Sequence, residues 1–534
     1  MQVERILFNG NIITLDPAQP KAQALAMADG KFVAVGSDAE VLALKGADTE
    51  LVDLAGQTVI PGLGDSHLHL SNFGAGMETV NLTSARSRED VIRLGREFLA
   101  QHPDMNWVTG WGFNHDKFHD GAMPTRSDLD QISTEIPILF SRTCGHIAVA
   151  NSRALQLAGV GANPEQPAGG QIDLDANGVP TGVLRESAIG LVRRLAPKPT
   201  VEDYKRMLAL AAEQAVKFGL TSVHSDDLAG HFEEMLQAYY ELVEEDRLPL
   251  RVWLQVRLYR PEQVDEFLEI SRRFQFPPYT VQYGPVKVMT DGSLGGRTAA
   301  LNEPYADDPT TSGVVVLEQE TINEILARAH ARGMQMSGHA IGDRAMEMLL
   351  NAFELALQEN PRADARPRII HAQITTPEIL QRCVDLGVAC DIQPVFVGTD
   401  LHIVEQRIGK ERMQTTYPWR TMRQLGIPTS GGSDCPVETC NPLVGIQQAV
   451  TRQDMNGFPA GGWLPEEKLT VQEALELFTL GPAYNSFNED VLGSITVGKL
   501  ADCVVLDQDP TAVEPNQIAN IQVKATYVGG RQRY

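Results

Sequence analysis

Hydrophobic and polar positions change rhythm along the chain. Residues 3–16 (VERILFNGNIITLD) and 22–41 (AQALAMADGKFVAVGSDAEV) carry short apolar runs broken by Asn-Gly and Asp-Gly, the turn pairs of β-hairpins. The same rhythm returns in 493–510 (GSITVGKLADCVVLDQDP) and 520–534 (NIQVKATYVGGRQRY), so a small β-structure assembled from both termini is expected. Between them, strand and helix alternate. The stretch 203–218 (DYKRMLALAAEQAVKF) reads as a helix, closed by Gly219 at the C′ position. Helical patterning recurs in 231–246, 262–273, 319–332, 343–358 and 376–386. Short apolar runs follow, at 220–224, 250–256, 284–289, 335–339, 367–371, 388–393 and 427–433, and residues 59–67 make an eighth. Eight strands alternating with helices is the count of an α/β fold, the (β/α)8 or TIM barrel. The stretch 71–200 interrupts the alternation after the first strand. It is rich in Gly, Pro, Asn and Asp, with Trp107, Trp111 and Phe113 as isolated aromatics, and reads as an inserted subdomain near the barrel mouth.

Composition narrows the function. With 43% hydrophobic and 21% charged residues over 534 positions, the chain is an ordinary globular one with room for a large core. A net charge of −24 argues against nucleic acid and against anionic membrane surfaces, both of which need basic patches. The N-terminal residues lack a basic segment followed by an apolar one, and no apolar run approaches membrane-spanning length. The six cysteines (144, 383, 390, 435, 440, 503) form no Cys-x-x-Cys pair, so a reducing cytoplasm is the expected compartment. The expected partner is a small-molecule substrate; the sequence leaves monomer and homo-oligomer open.

Candidate chemistry gathers where the strands end. In (β/α)8 barrels the active site lies at the C-terminal ends of the strands. The first strand ends in His67-Leu-His69, whose imidazoles share one side of an extended backbone and can grip a divalent metal. The second ends at His224, the fifth at His339 and the sixth at His371, while the fourth carries Lys287 and the eighth runs into Asp434. His224 is equally a donor behind the site or a packed histidine. Lys287, from the residues alone, is more simply a cation paired with Asp291 or packed on a helix. Its alternative is a neutral amine that reacts with carbon dioxide to give a carbamate able to bridge two metals. Asp434 in Ser-Gly-Gly-Ser-Asp-Cys-Pro is either a turn residue or a ligand and proton shuttle.

Eight runs then carry a resemblance across nearly the whole chain: PGLGDSHLHL (61–70), CGHIAVANSRAL (144–155), PTGVLRESA (180–188), GPVKVMTDGSLGGRTAAL (284–301), HAIGDRA (339–345), RIIHAQ (368–373), SGGSDCPVE (430–438) and GSITVGKLADCVVLD (493–507). The chain resembles the amidohydrolase superfamily and, within it, the amidohydrolase-3 group of metal-dependent hydrolases. The resemblance implies a barrel over 61–486, with 71–200 inserted, and a small β-sandwich from 1–60 and 487–534. It implies that His67 and His69 bind the more buried metal, that Lys287 bridges as a carbamate, and that His339 and His371 bind a second metal. Asp434 completes the first site and acts as general base. The implied cofactor is a divalent metal, zinc first, one or two per chain. The implied reaction is hydrolysis of a non-peptide carbon–nitrogen bond in an amide, formamide or cyclic amide. Trp111, Phe113, His146, His224 and Arg297 are candidates for holding substrate, Arg297 being equally a salt-bridge partner of a nearby acid. Two other readings stay open: a single-metal deaminase, against which Lys287 argues, and a non-catalytic regulatory or binding protein on the same scaffold, against which the complete ligand set argues.

Overall fold

The structure, a computed structural model, describes residues 2–143 and 146–534; Cys144 and Gly145 of the CGHIAVANSRAL run lie outside the described residues. The chain divides into two compact units, one of residues 1–74 and 201–534 and one of residues 75–200.

In the first unit, eight parallel strands form a single sheet in sequential order: β1 (Leu63–Leu68), β2 (Leu220–Leu228), β3 (Arg251–Arg257), β4 (Val281–Met289), β5 (Met336–Ala340), β6 (Arg368–His371), β7 (Ala389–Ile392) and β8 (Thr429–Gly431). The ring is brought together just beyond β8, where the Asp434 N–H donates to the His67 carbonyl at 2.8 Å. The eight-stranded barrel expected from the patterning is therefore present, with two changes of detail. The run 59–67 is not one strand. Thr58–Pro61 belongs to a terminal sheet, and the chain enters β1 after Gly62, where a Cβ would lie 2.3 Å from the Thr221 hydroxyl. β2 does not end at His224 but runs four residues further, through Asp226 to Leu228.

Helices follow the expected periods: Val201–Lys217, Phe232–Glu244, Glu262–Ser271, Gln319–Ala331, Asp343–Glu359 and Pro377–Asp385. Gly219, at φ 84°, ends the first of them in the left-handed conformation that glycine adopts without steric cost. The apolar faces of these helices and the outward-facing Val, Ile and Leu of the strands share one large core that includes Leu236, Val252, Val286, Leu326, Ile369 and Phe353.

Two further sheets belong to this unit, one from N-terminal strands alone and one to which both termini contribute. One orders Lys31–Gly36, Ala24–Ala28, Arg5–Phe8 and Glu50–Asp53. The other orders Arg531–Gln532, Val523–Val528, Cys503–Leu506, Thr58–Pro61, Asn11–Ile13 and Lys21–Ala22. Leu7, Leu25 and Phe32 from the first pack with Ile12, Val59, Val505 and Tyr527 from the second, so the two sheets enclose a common core.

The second unit has more order than its turn-rich composition suggested. It holds a six-stranded mixed sheet, Gly170–Leu174, Pro180–Glu186, Ile147–Ala150, Ile138–Arg142, Val108–Phe113 and Val80–Asn81. Helix Arg88–Gln101 covers one face, burying Val91 with Phe113 and Phe140. Among the described residues, no helix is long and apolar enough to cross a membrane.

Candidate metal centre

The residues named at the strand ends of the barrel converge. His67 Nε2 lies 3.2 Å and His69 Nε2 3.0 Å from Asp434 Oδ1. The ligand atoms of these three residues all lie within 4.8 Å of one another. His371 meets His67 edge-on at 5.6 Å between ring centroids, and His339 meets His371 at 4.4 Å. Lys287 Nζ stands 3.1 Å from His67 Nε2. Backbone strain accompanies the convergence: His371 and Asp434 sit at φ 85° and 57°, in the left-handed region that non-glycine residues rarely occupy and that clusters at functional sites.

Partners behind the rings determine which nitrogen faces inward. His67 Nδ1 is 2.9 Å from Gln255 Oε1, His69 Nδ1 3.3 Å from the Asp226 carbonyl oxygen and His371 Nδ1 2.8 Å from Gln393 Oε1. Each of those oxygens is an acceptor, so each Nδ1 carries a proton, and wherever the ring is neutral Nε2 keeps its lone pair. His339 is held the other way round, with Nε2 3.0 Å from the Gly292 carbonyl oxygen. That donor set, three Nε2 lone pairs held by carbonyl partners and a carboxylate among them, fits a divalent cation of the zinc class.

Electrostatics agrees. Burial, reinforced by the Lys287 cation, pushes His67 down to about 3, so its ring is neutral. Burial, followed by His339, holds His371 well below its usual value. At Asp434 burial favours the neutral acid, but the imidazoles of His67 and His69 outweigh it and keep the carboxylate ionised. His69 is raised: burial opposes its cation, and Asp434 and Asp226 more than offset that.

Lys287 pairs with Asp226, not with Asp291. Its Nζ donates to Asp226 Oδ2 at 2.7 Å, and Arg257 Nη2 donates to the same oxygen at 2.5 Å. Asp291 instead accepts N–H groups from Ala300, Ile341 and Gly342 and faces His339 Nε2 at 3.2 Å. Burial depresses the Lys287 ammonium, with Asp226 opposing.

The remaining candidates lie elsewhere. His224 is buried in the barrel interior against Trp253, 5.5 Å between ring centroids, with the Pro482 backbone beside its ring. Arg297 is held by Asp307 at 2.9 and 3.1 Å, the salt bridge that stood as its alternative. In the second unit Trp111 is 53% exposed, Phe113 is buried in the core, and His146 Nδ1 is 2.9 Å from Glu186. Sequence reasoning did not single out Asp226, Gln255, Gln393 or Arg257. Their signal was polar residues standing inside short strand runs: SVHSDDL, RVWLQVR and ACDIQ.

Comparisons with known proteins follow the same line. The model of the amidohydrolase family matches residues 50–534. The chain is 36% identical to YtcJ of Bacillus subtilis (strain 168) over 535 residues, covering 100% of this chain and 99% of that one. It is 28% identical over 546 residues to the N-substituted formamide deformylase of Arthrobacter pascens, covering 99% and 98%. Among solved structures, a metal-dependent hydrolase from Pyrococcus furiosus superposes with a TM-score of 0.79 at 32% identity, covering 95% of this chain and 99% of that one.

Proposed function

The chain belongs to the amidohydrolase family and is a metal-dependent hydrolase of that superfamily, and on that premise we propose that it cleaves a non-peptide carbon–nitrogen bond in a small amide, N-substituted formamide or cyclic amide. The observation that carries the reading is the meeting of His67 Nε2, His69 Nε2 and Asp434 Oδ1, with carbonyl oxygens holding both Nδ1 positions. His67, His69 and Asp434 would hold the more buried ion, zinc by the chemistry of the set. His339 and His371 would hold a second, with Lys287, carboxylated by carbon dioxide, between them. When bound, such an ion supplies Lewis acidity, enough at zinc sites to bring the pKa of water from about 15.7 to roughly 7.

The chain's own residues do the rest. Gln255, Gln393 and the Asp226 carbonyl orient the rings. Asp434 accepts a proton from the attacking water on its carboxylate and returns it to the leaving nitrogen. Water adds to the carbonyl carbon, the carbon–nitrogen bond breaks, and an acid and an amine leave. The similarity to an N-substituted formamide deformylase supports testing formamides first. The same proposal includes the domain division: a terminal β-domain of 1–60 with 487–534, a barrel of 61–486, and 71–200 inserted in it.

One observation favours a second reading, occupancy by a single ion, as in a deaminase of this superfamily. Lys287 is held as a cation by Asp226, and among the described residues only His67, His69 and Asp434 form a three-ligand group of histidine and acid side chains. Metal analysis separates the two: about two equivalents per chain fits the bridged pair, one fits the single site. Turnover across a panel of formamides, amides and lactams, lost on chelation and restored by zinc, is the expected outcome. Stable metal binding with no turnover on the whole panel would overturn the hydrolytic proposal in favour of a binding protein.

A further inference from the structure

Seven of the barrel's eight strand junctions are parallel backbone ladders. Among the described residues the eighth, between β8 and β1, has no ladder, and β8 is only three residues long. This seam is where candidate ligands from two distant segments meet. His67 and His69 come from the end of β1, and Asp434 follows β8. Few backbone bonds cross it there: the Asp434 N–H donates to the His67 carbonyl and the His69 N–H to the Cys435 carbonyl, each at 2.8 Å.

A buried carboxylate spans the same seam. Asp65 stands on β1 and Ser433 beside Asp434, both out of contact with solvent. Asp65 Oδ1 accepts the His67 N–H at 3.0 Å and the Ser433 N–H at 3.2 Å, while Oδ2 accepts the Ser433 hydroxyl at 2.6 Å. Ser433 Oγ in turn accepts the Cys435 N–H at 3.1 Å. Asp65 therefore grips the backbone of His67 on one side and, directly and through Ser433, the backbone on both flanks of Asp434 on the other. The approach is close: a Cβ on Gly432 would lie 2.9 Å from the His67 nitrogen and 3.1 Å from Asp65 Oδ1, so glycine is required there. The three donors to Asp65 are all neutral groups. Burying a carboxylate without a cation is costly, so its presence calls for a reason. Three donors converge on two oxygens, and a carboxylate accepts from all of them, whereas an amide of the same shape has one acceptor oxygen.

We infer that Asp65 is a positioning residue, which sets where the Asp434 carboxylate stands relative to the His67–His69 pair. The inference rests on the metal-dependent hydrolysis proposed above. Asp65 itself touches neither ion nor substrate and acts through Ser433 and the two backbones. Asp434 sits at φ 57°, a conformation that its surroundings must hold, and its flanks are held by the Ser433 hydroxyl and the Asp65 carboxylate. Metal binding and proton transfer tolerate little displacement, a shift of about 1 Å being enough to lower a rate roughly a hundredfold. An Asp65 that only closed the barrel would support the fold and leave the aim of Asp434 to other groups.

The test uses the full chain and the variants Asp65→Asn, Ser433→Ala and the two together. Zinc affinity is read by competition with a chelating dye, ligand geometry by the visible spectrum of cobalt-loaded protein, and folding by thermal unfolding of the chelator-stripped form. Kinetics use the formamide or amide that the parent turns over best. Asp65→Asn is expected to weaken zinc about tenfold, to shift the cobalt bands and to lower kcat about tenfold at saturating zinc, with KM little changed. Ser433→Ala, which leaves Asp65 on the His67 N–H, is expected to move the same readouts by about threefold, and the double variant to do no worse than Asp65→Asn, because both break one connection. Parental zinc affinity, cobalt spectrum and kcat in Asp65→Asn, with only the unfolding temperature lowered, would overturn the inference. If Asp65→Asn does not fold, Ser433→Ala decides by the same readouts. A parent that binds no zinc overturns this inference together with the metal site. A parent that binds zinc and turns over nothing contradicts the hydrolytic reading alone, and the affinities and spectra still decide the role of Asp65.

Discussion

His67 and His224 are both fully buried imidazoles on adjacent strands of one barrel, and the two ends of that barrel treat them in opposite ways. At the upper end each ring is held from behind by an oxygen acceptor, and the freed nitrogens point at one another and at Asp434. At the lower end the ring has no carboxylate in front of it, and the buried ion pair Arg368–Asp391 satisfies itself while leaving one donor over. Burial lowers the basicity of both histidines. Burial and pKa therefore do not mark a ligand; a held Nδ1 and a shared carboxylate do. At the upper end a neutral His67 ring and an ionised Asp434 face one point, which suits the cation proposed there. The lower end balances its own charge.

Substitutions at the two ends should separate these roles. Asp434→Asn is expected to have the largest effect: metal stays bound through the imidazoles, while kcat falls roughly a thousandfold, within the range general acid–base groups supply. Steady-state kinetics beside metal analysis measures both, and undiminished turnover would remove Asp434 from its assigned role. At the lower end Arg368→Met acts on stability instead. It leaves Asp391 buried without its cation and should cost about 3–5 kcal/mol in denaturant unfolding, most of which Arg368→Met with Asp391→Leu should restore. Gln255→Leu sharpens the contrast from behind the cluster. Releasing His67 Nδ1 should weaken metal binding about 10- to 100-fold, as loss of a partner to a ligand histidine typically does, read by competition with a chelating dye. The smallest effect is expected for His224→Leu, which replaces a buried imidazole without a charged partner by an apolar side chain. Stability should stay within about 1 kcal/mol of the parent or rise, and a large loss would mean that the ring has partners the present geometry does not give it.

Much of this contrast was legible in the linear order of residues, because the barrel's rhythm is local. Each strand is a short apolar run, and each candidate ligand stands at its C-terminal edge, so counting strands already aligned His67, Lys287, His339, His371 and Asp434. What was not legible is long-range. Asp226 pairs with Lys287 across 61 positions and Gln255 holds His67 across 188, and no local pattern states such a pairing. The second strand runs past His224, the polar residue that closes its apolar run in the sequence. The backbone stays extended through Asp226 and Asp227, whose charges are compensated inside the barrel by Lys287 and Arg257 and by the Ser71 and Tyr239 hydroxyls. Gly62 hid a second boundary: the apolar run continues through it, but Pro61 and Leu63 belong to different sheets. The inserted segment escaped because its strands are short and divided by turns, and its order rests on a core of its own.

The central claim is that the converging nitrogens and carboxylate of the upper end hold a metal ion. A crystal structure of the protein purified with zinc, with anomalous data collected on both sides of the zinc edge, tests it most directly. The account predicts an anomalous peak in contact with His67 Nε2, His69 Nε2 and an Asp434 oxygen, with Gln255 still on His67 Nδ1. A clean map at that point from protein shown to contain zinc, with the metal at some other place, would contradict it.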